Sequence, residues 1–310
     1  VGTKVESGKQ TSKKIQRNEK VAMKERDKKV ILTLFDGAGG LGMSLNELGK
    51  IDLSQQRIVS CENHKGARLV CDSTNREEDG SPMIDHNWCQ DVMDITEQKI
   101  VDLGDIIMVA GGAPCGDYSR KRNLRQRNGK MPTTDQRSGF KGKTGILFKQ
   151  MVKIWRWVKK HNPNCDYFIE NVVFDDMEEW EYICAAFGEP TVVNSKYQSF
   201  TARRRAYWTS FKIPKKSMLY EARQWQKECH DADKECMSPG RTLVKDQLKD
   251  GQLLIRPLGA SWKINREGKL VEDTSRPVYV KVEGQQKYDF LQVQEAELLM
   301  GWRKGCTGHT

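Results

Sequence analysis

Two periods of hydrophobic spacing alternate along this chain. Largely apolar runs of strand length recur at Val30–Phe35, Arg57–Cys61, Ile106–Gly112 and Cys165–Ile169, and each ends at or beside Gly, Asp or Glu. Between them lie stretches with helical spacing at Met43–Leu48, Ile95–Leu103, Ile146–Lys160 and Asp175–Phe187. In Ile146–Lys160, apolar residues at 147, 151, 154 and 158, with Phe148, Val152 and Trp155 beside them, form a wide buried stripe. Thr191–Asn194 and the run from Gln198 to Trp208 add two extended segments. Apolar strands alternating with helices predict an α/β fold. From Pro214 the texture changes to short extended runs (Leu253–Ile255, Pro277–Val280) among Gly, Pro and charges. The expected organisation is an arm over residues 1–29, an α/β domain over 30–213, a small irregular region over 214–290, and a helix from Gln292 to Trp302 within a returning segment, 291–310.

Composition narrows the partners more than the fold. With 310 residues, 37% hydrophobic and 30% charged, the chain can bury a sizeable core beneath a charged surface, as a soluble globular protein does. No apolar run approaches the ~18 residues of a membrane span, and no signal-peptide pattern opens the sequence. Nine scattered cysteines, an odd number without paired short spacings, argue against a disulfide framework and a structural zinc site, and for a reducing compartment. The net charge of +10 favours a polyanionic partner. Val1–Lys29 holds ten Lys/Arg against four acids. It reads as a solvated arm or as one that adds affinity for a phosphate backbone.

The chemistry gathers where the strands end. Phe35-Asp36-Gly37-Ala38-Gly39-Gly40 follows the first strand and opens a helix, as in a nucleotide-binding βαβ unit. Glu62 ends the second strand 26 residues after Asp36, where an acid can take two ribose hydroxyls. Asp91, after Trp88-Cys89-Gln90, is expected to end a third. A pyrophosphate site needs bare amides without negative charge beside them, and Asp36 stands in the way. The turn suits a cofactor with a positive end and no phosphate; S-adenosylmethionine fits, and nicotinamide dinucleotides do not. Pro114-Cys115 follows Gly111-Gly112, so the cysteine is presented at the carboxyl end of a strand, where open α/β sheets bind ligands. It is either a buried small hydrophobe or a nucleophile. Glu170 follows an apolar strand, where a buried acid needs a partner or a task. Strand alternation puts Arg203 and Arg205 on one face and Arg204 on the other.

Phe35-Asp36-Gly37-x-Gly39-Gly40, Gly112-x-Pro114-Cys115, Glu170-Asn171-Val172 and Arg203-x-Arg205, in that order, resemble the successive signature motifs of cytosine-5 DNA methyltransferases. Residues 91–119, 139–147, 168–173 and 202–208 are most similar to the catalytic domain of the eukaryotic de novo enzymes. The resemblance implies a Rossmann-like S-adenosylmethionine-dependent methyltransferase fold over 30–213, with 214–290 as the target-recognition region. It implies a DNA (cytosine-5)-methyltransferase acting on double-stranded DNA in the nucleus of a eukaryote, or otherwise in the cytoplasm. It admits a homo-oligomer or an accessory protein as further partner. Carried over by motif, Asp36 to Gly40 hold the cofactor's amino-acid end, Glu62 the ribose, and Asp91 and Val92 meet the adenine, with Phe35, Ala38, Asn63 and Pro114 also expected to bind the cofactor. Cys115, Glu170, Arg203 and Arg205 are the catalytic set.

Carbon-5 of cytosine is too weak a nucleophile to take a methyl group unaided. The implied chemistry is therefore addition of the Cys115 thiolate to carbon-6, with Glu170 at ring nitrogen 3. A free thiol is only about 3% ionised at neutral pH, so a helix N-terminus facing Cys115 is expected to help. The base must be flipped from the duplex. The segment from Arg120 to Lys143, with nine Lys/Arg and one acid, is either a solvated face or a lid contacting phosphates, with Ser119, Arg120, Lys121, Arg122 and Arg125 expected to bind DNA. The family closes its cofactor pocket with a C-terminal motif not found before Thr310; Leu258–Trp262 resembles it faintly but stands too early. Truncation and a more open pocket both remain readings. The rival functions are a transfer-RNA cytosine-5 methyltransferase and a non-catalytic DNA-binding accessory subunit.

Overall fold

The computed structural model describes residues 27–118, 138–194 and 204–213, apart from Glu78 and Asp175. Beyond them it describes 241–243, 246–247, 253–254, 262–272, 279–284, 288–290, 292–299 and 307. The core is a seven-stranded sheet of β1 (Lys29–Leu34), β2 (Gln56–Cys61), β3 (Ile84–Asp85), β4 (Ile106–Gly111), β5 (Asp166–Asn171), β6 (Thr191–Asn194) and β7 (Arg204–Thr209). Its order is β3-β2-β1-β4-β5-β7-β6. Strands 1 to 5 run parallel, while β7 is antiparallel to both β5 and β6.

The helices are α1 (Gly40–Glu47), α2 (Lys65–Thr74), α3 (Glu97–Leu103), α4 (Lys143–His161), α5 (Met177–Phe187) and α6 (Val293–Leu299). They divide the core in two. Ile31 and Ile58 face α1 and α2, packing with Cys71, Leu41 and Leu45. Val30, Leu32, Leu34, Val59 and Cys61 face the other way, onto Ile100 and Leu103 of α3, Phe148, Met151 and Val152 of α4, and Ile183 and Phe187 of α5. The strict alternation along β1 is what a sheet buried on both faces demands. No described helix is long and apolar enough to cross a membrane.

The registers put the strand ends on one edge. Leu34 lies opposite Cys61 and Gly111, and Gly111 opposite Ile169. A Cβ on Gly111 would sit 2.6 Å from the Leu34 carbonyl oxygen, so only glycine lets β1 and β4 meet this closely at their ends. At ~4.8 Å per strand, the segments following β2, β1, β4 and β5 span about 15 Å. That edge straddles the β1/β4 point where the strand order reverses.

Smaller sheets lie in the C-terminal third: β8 (Arg241–Leu243) with β13 (Tyr279–Val282) and β14 (Tyr288–Phe290), β9 (Asp246–Gln247) with β10 (Leu253–Leu254), and the hairpin β11 (Trp262–Ile264) with β12 (Leu270–Glu272).

Two expectations change. Asp91 does not end a strand: β3 stops at Asp85, and Asp91 caps a 3₁₀ turn at Val92–Asp94 by accepting from Met93 N–H at 2.9 Å. Cys89 turns into the core instead, its thiol donating to the Asp91 carbonyl at 3.2 Å, which bends the segment. Glu170 and Asn171 lie inside β5 rather than after it, because β7 pairs with them directly.

Candidate active site

On the cofactor side, Phe35 adopts φ 58°, a left-handed conformation that costs a side-chain-bearing residue about 1–2 kcal/mol. It is the only such non-glycine among the described residues. Its N–H donates to the Cys61 carbonyl at 2.9 Å, so the turn breaks sharply away from β1 at that point. Gly37 N–H donates to Glu62 Oε2 at 2.9 Å and His64 N–H to Oε1 at 2.7 Å. Arg68 Nη1 donates to the Glu62 carbonyl at 2.6 Å. Glu62 thereby joins the glycine turn to the first turn of α2.

A Cβ on Gly39 would lie 2.3 Å from Cys71 Sγ, whereas Gly37 and Gly40 have nothing within 4 Å. One glycine seats the turn on α2, and the other two leave open space beside bare backbone. Asp36 is half-buried, but its Oδ2 is shut off from solvent and lacks a hydrogen-bond partner among the described residues. Burial pushes this carboxyl up to about 6; the Thr33 and Ser60 hydroxyls pull it back and Glu62 raises it again. An enclosed, under-partnered acid beside open backbone fits the ammonium and sulfonium of S-adenosylmethionine and repels a phosphate. Val92 is buried and Asp91 and Asn63 are exposed, on the loops beyond β2 and β3.

The loop after β4 is pinned on both sides of Cys115. Asn171, fully buried, donates from Nδ2 to the Ala113 carbonyl at 2.9 Å. Pro114 is exposed and Cys115 half-buried against the main core. Beyond it, Asp117 is only 3% exposed. Its Oδ2 accepts from Thr144 N–H at 2.7 Å and Thr144 Oγ1 at 2.7 Å, and its own N–H donates to Thr144 Oγ1 at 2.9 Å. Gly142, the N-cap residue of α4, offers no side chain, and a Cβ there would collide with the Asp117 carboxyl at 2.2 Å. Asp117 therefore caps a helix that begins 26 residues after it. The positive end of α4 is thus engaged by the Asp117 carboxyl. Tyr118 then enters an aromatic cluster with Phe174, Phe140 and Phe148, at centroid distances of 4.6, 5.7 and 6.2 Å.

The acid–arginine pair is present. Arg205 Nε lies 2.8 Å from Glu170 Oε1, with side chains 20% and 24% exposed. Antiparallel pairing of β7 causes this, since it brings the start of β7 alongside the carboxyl end of β5. A Cβ on Gly112 would be 3.2 Å from Glu170 Oε2, so the same carboxyl also abuts the strand leading to Cys115. Arg204 is exposed. Arg203, Ser119, Arg120, Lys121, Arg122 and Arg125 lie outside the described residues.

The supports at Asn171, Asp117 and Thr144 went unrecognised in the sequence. The available signal was Gly142, a helix start without a capping side chain, which requires its cap from elsewhere.

A doubly covered sheet whose seventh strand runs antiparallel, with a glycine turn after its first strand, is the Rossmann-like fold of S-adenosylmethionine-dependent methyltransferases. The signature of the family described as C-5 cytosine-specific DNA methylase matches residues 30–290. The chain belongs to that family, and its activity is DNA (cytosine-5)-methyl transfer from S-adenosylmethionine. No curated protein gives a significant match. Among solved structures, the antibiotic-resistance methyltransferase Kmr and the aminoglycoside resistance methyltransferase NpmB1 are each 10% identical, cover 62% of this chain and 93% of their own, and have a TM-score of 0.33. A structure titled "DhpI-SAM-HEP complex" is 11% identical over 74% of this chain and 77% of its own, with a TM-score of 0.25.

Proposed function

We propose that Cys115 is the nucleophile that adds to carbon-6 of a flipped cytosine, with Glu170 at ring nitrogen 3 and Arg205 as the group that orients Glu170. The observation that carries the reading is the Glu170–Arg205 pair at 2.8 Å, with the same carboxyl against Gly112, three residues before the cysteine. Addition makes carbon-5 an enamine-like nucleophile, S-adenosylmethionine supplies the methyl group, and loss of the carbon-5 proton releases the thiol. Arg203 shares the anchoring role by motif.

Phe35, Asp36, Gly37, Ala38, Gly39 and Gly40 cradle the amino-acid end of the cofactor, with Pro114 beside them. Glu62 and Asn63 take the ribose, and Asp91 and Val92 the adenine. Asp36 fits its share of this work because its shielded Oδ2 accepts no hydrogen bond from the described residues. Ser119, Arg120, Lys121, Arg122 and Arg125 contact DNA phosphates; changing the four basic residues together to Ala flattens the salt dependence of binding. The motif resemblance supports an enzyme of the eukaryotic de novo type, working in the nucleus, with a second copy or an accessory protein as partner.

The test is tritiated methyl transfer to duplex DNA by wild type and Cys115→Ser, together with trapping on a 5-fluorocytosine duplex. Wild type forms an adduct that survives denaturation and the variant forms none. Equal transfer by both proteins overturns the assignment.

A further inference from the structure

The turn that closes the β11–β12 hairpin is tied to itself at four points. Asn265 N–H donates to Lys269 O at 2.9 Å and Gly268 N–H to Asn265 O at 3.1 Å. Asn265 Oδ1 accepts from Glu267 N–H at 3.0 Å and from Lys269 N–H at 2.9 Å. Gly268 takes φ 82°, which glycine adopts without strain. The result is a preformed knob, and it is seated. A Cβ on Gly66, in the first turn of α2, would lie 1.8 Å from the Asn265 carbonyl oxygen, and one on Gly268 would lie 3.2 Å from Leu69 Cβ. Two glycines let backbone meet backbone here. Leu270, next along, is buried.

The helical turn on which this knob rests is the one that holds Glu62. Arg68 binds the Glu62 carbonyl, His64 N–H binds its carboxyl, and His64 Nδ1 accepts from Ala67 N–H at 3.1 Å. Contact therefore runs unbroken from the hairpin through Gly66 to Glu62 and on to Gly37.

We propose that the β11–β12 hairpin is a positioning element for the cofactor: seated on Gly66, it fixes the first turn of α2 and so holds Glu62 in place for the ribose. The inference rests on the assignment of Glu62 to the ribose. It gives one part of the 214–290 region a task on the cofactor side of the sheet, apart from target recognition.

Isothermal titration with S-adenosylhomocysteine tests it on Gly66→Ala, Asn265→Ala, Glu62→Gln and the Gly66→Ala/Glu62→Gln double variant. Alanine favours helix over glycine, so Gly66→Ala displaces the hairpin without weakening α2 itself. Cofactor affinity falls about tenfold in Gly66→Ala, while DNA affinity and kcat at saturating S-adenosylmethionine stay within about twofold. The double variant binds no more weakly than Glu62→Gln, since both changes act on one contact chain. Asn265→Ala, which loosens the turn without a clash, shifts affinity in the same direction and gives the reading if Gly66→Ala does not fold. Unchanged affinity in Gly66→Ala beside a weakened Glu62→Gln overturns the hairpin's role alone. A parallel fall in melting temperature, DNA affinity and cofactor affinity also overturns it, as a merely structural contact. Unchanged affinity in Glu62→Gln removes the ribose assignment and the inference with it.

Discussion

On the role proposed for Asp36, cofactor binding is pH-dependent, and the size of the effect follows from its surroundings. Burial raises the carboxyl from 3.8 to about 6, so the folded protein without cofactor resists ionising it. The sign follows directly. The folded state holds this proton more tightly than the unfolded chain, so stability from this group is greatest at low pH. It declines as pH rises from about 4 to about 6 and is level above that. An ammonium or sulfonium beside Oδ2 reverses the preference and favours the anion. Binding below pH 6 therefore releases a proton.

At pH 5 about a tenth of Asp36 is ionised, and at pH 7 about nine-tenths. S-adenosylmethionine affinity should thus rise about tenfold between pH 5 and pH 7, or ~1.4 kcal/mol, and level off. Isothermal titration in buffers of different ionisation enthalpy measures both affinity and proton release. Asp36→Asn should lose most cofactor affinity and all of this slope, and it should stabilise the cofactor-free protein at pH 7.5 by up to about 3 kcal/mol. A flat wild-type profile, or a slope retained in the Asn variant, refutes the reasoning.

Removing the Asp117 carboxyl leaves the Thr144 amide and hydroxyl without their partner. Asp117→Ala should therefore cost about 1–3 kcal/mol of stability and cut kcat about tenfold or more, with cofactor Kd unchanged; wild-type kcat in a stably folded variant would show that the clasp does not place Cys115. Glu170→Gln should lower kcat about 10²-fold or more while leaving S-adenosylhomocysteine affinity intact, and Arg205→Ala should lower kcat with cofactor affinity unchanged, because Glu170 loses the guanidinium that orients it. His86 is buried and held below its usual range, chiefly by that burial, with Asp72 3.5 Å away opposing it. Protons therefore favour the unfolded chain, and this group's contribution to stability improves as pH rises toward 6.5. Thermal melts from pH 5 to 7 should climb more steeply for wild type than for His86→Gln, and parallel curves would remove the effect.

Much of the sheet was legible because strands buried on both faces announce themselves as apolar runs, and their ends as Gly or acid. Glu62 was singled out this way, whereas Arg205 was singled out by strand alternation and by the motif resemblance. Asp91 was misplaced because Trp88-Cys89-Gln90 has strand-like composition, while Cys89 folds inward to bond the Asp91 carbonyl. The start of α4 was placed at Ile146 rather than Lys143 for a different reason. Its cap comes from Asp117, far along the chain, and no local periodicity records a hydrogen bond across 27 positions. The Gly66–Asn265 contact is equally silent: a glycine within a helical pattern reads as a weak helix former until its tertiary neighbour is known.

The clasp also separates two evolutionary problems. Tyr118 and Phe140 touch across the mouth of the segment between them, and the Phe140 amide is tied in turn to Glu179 of α5. Whatever chain is threaded between those anchors departs and returns at one fixed place. Doubling its length would cost only about 0.6 kcal/mol in closure entropy. A change of length between positions 118 and 140 would therefore leave the loop that carries Cys115 in register.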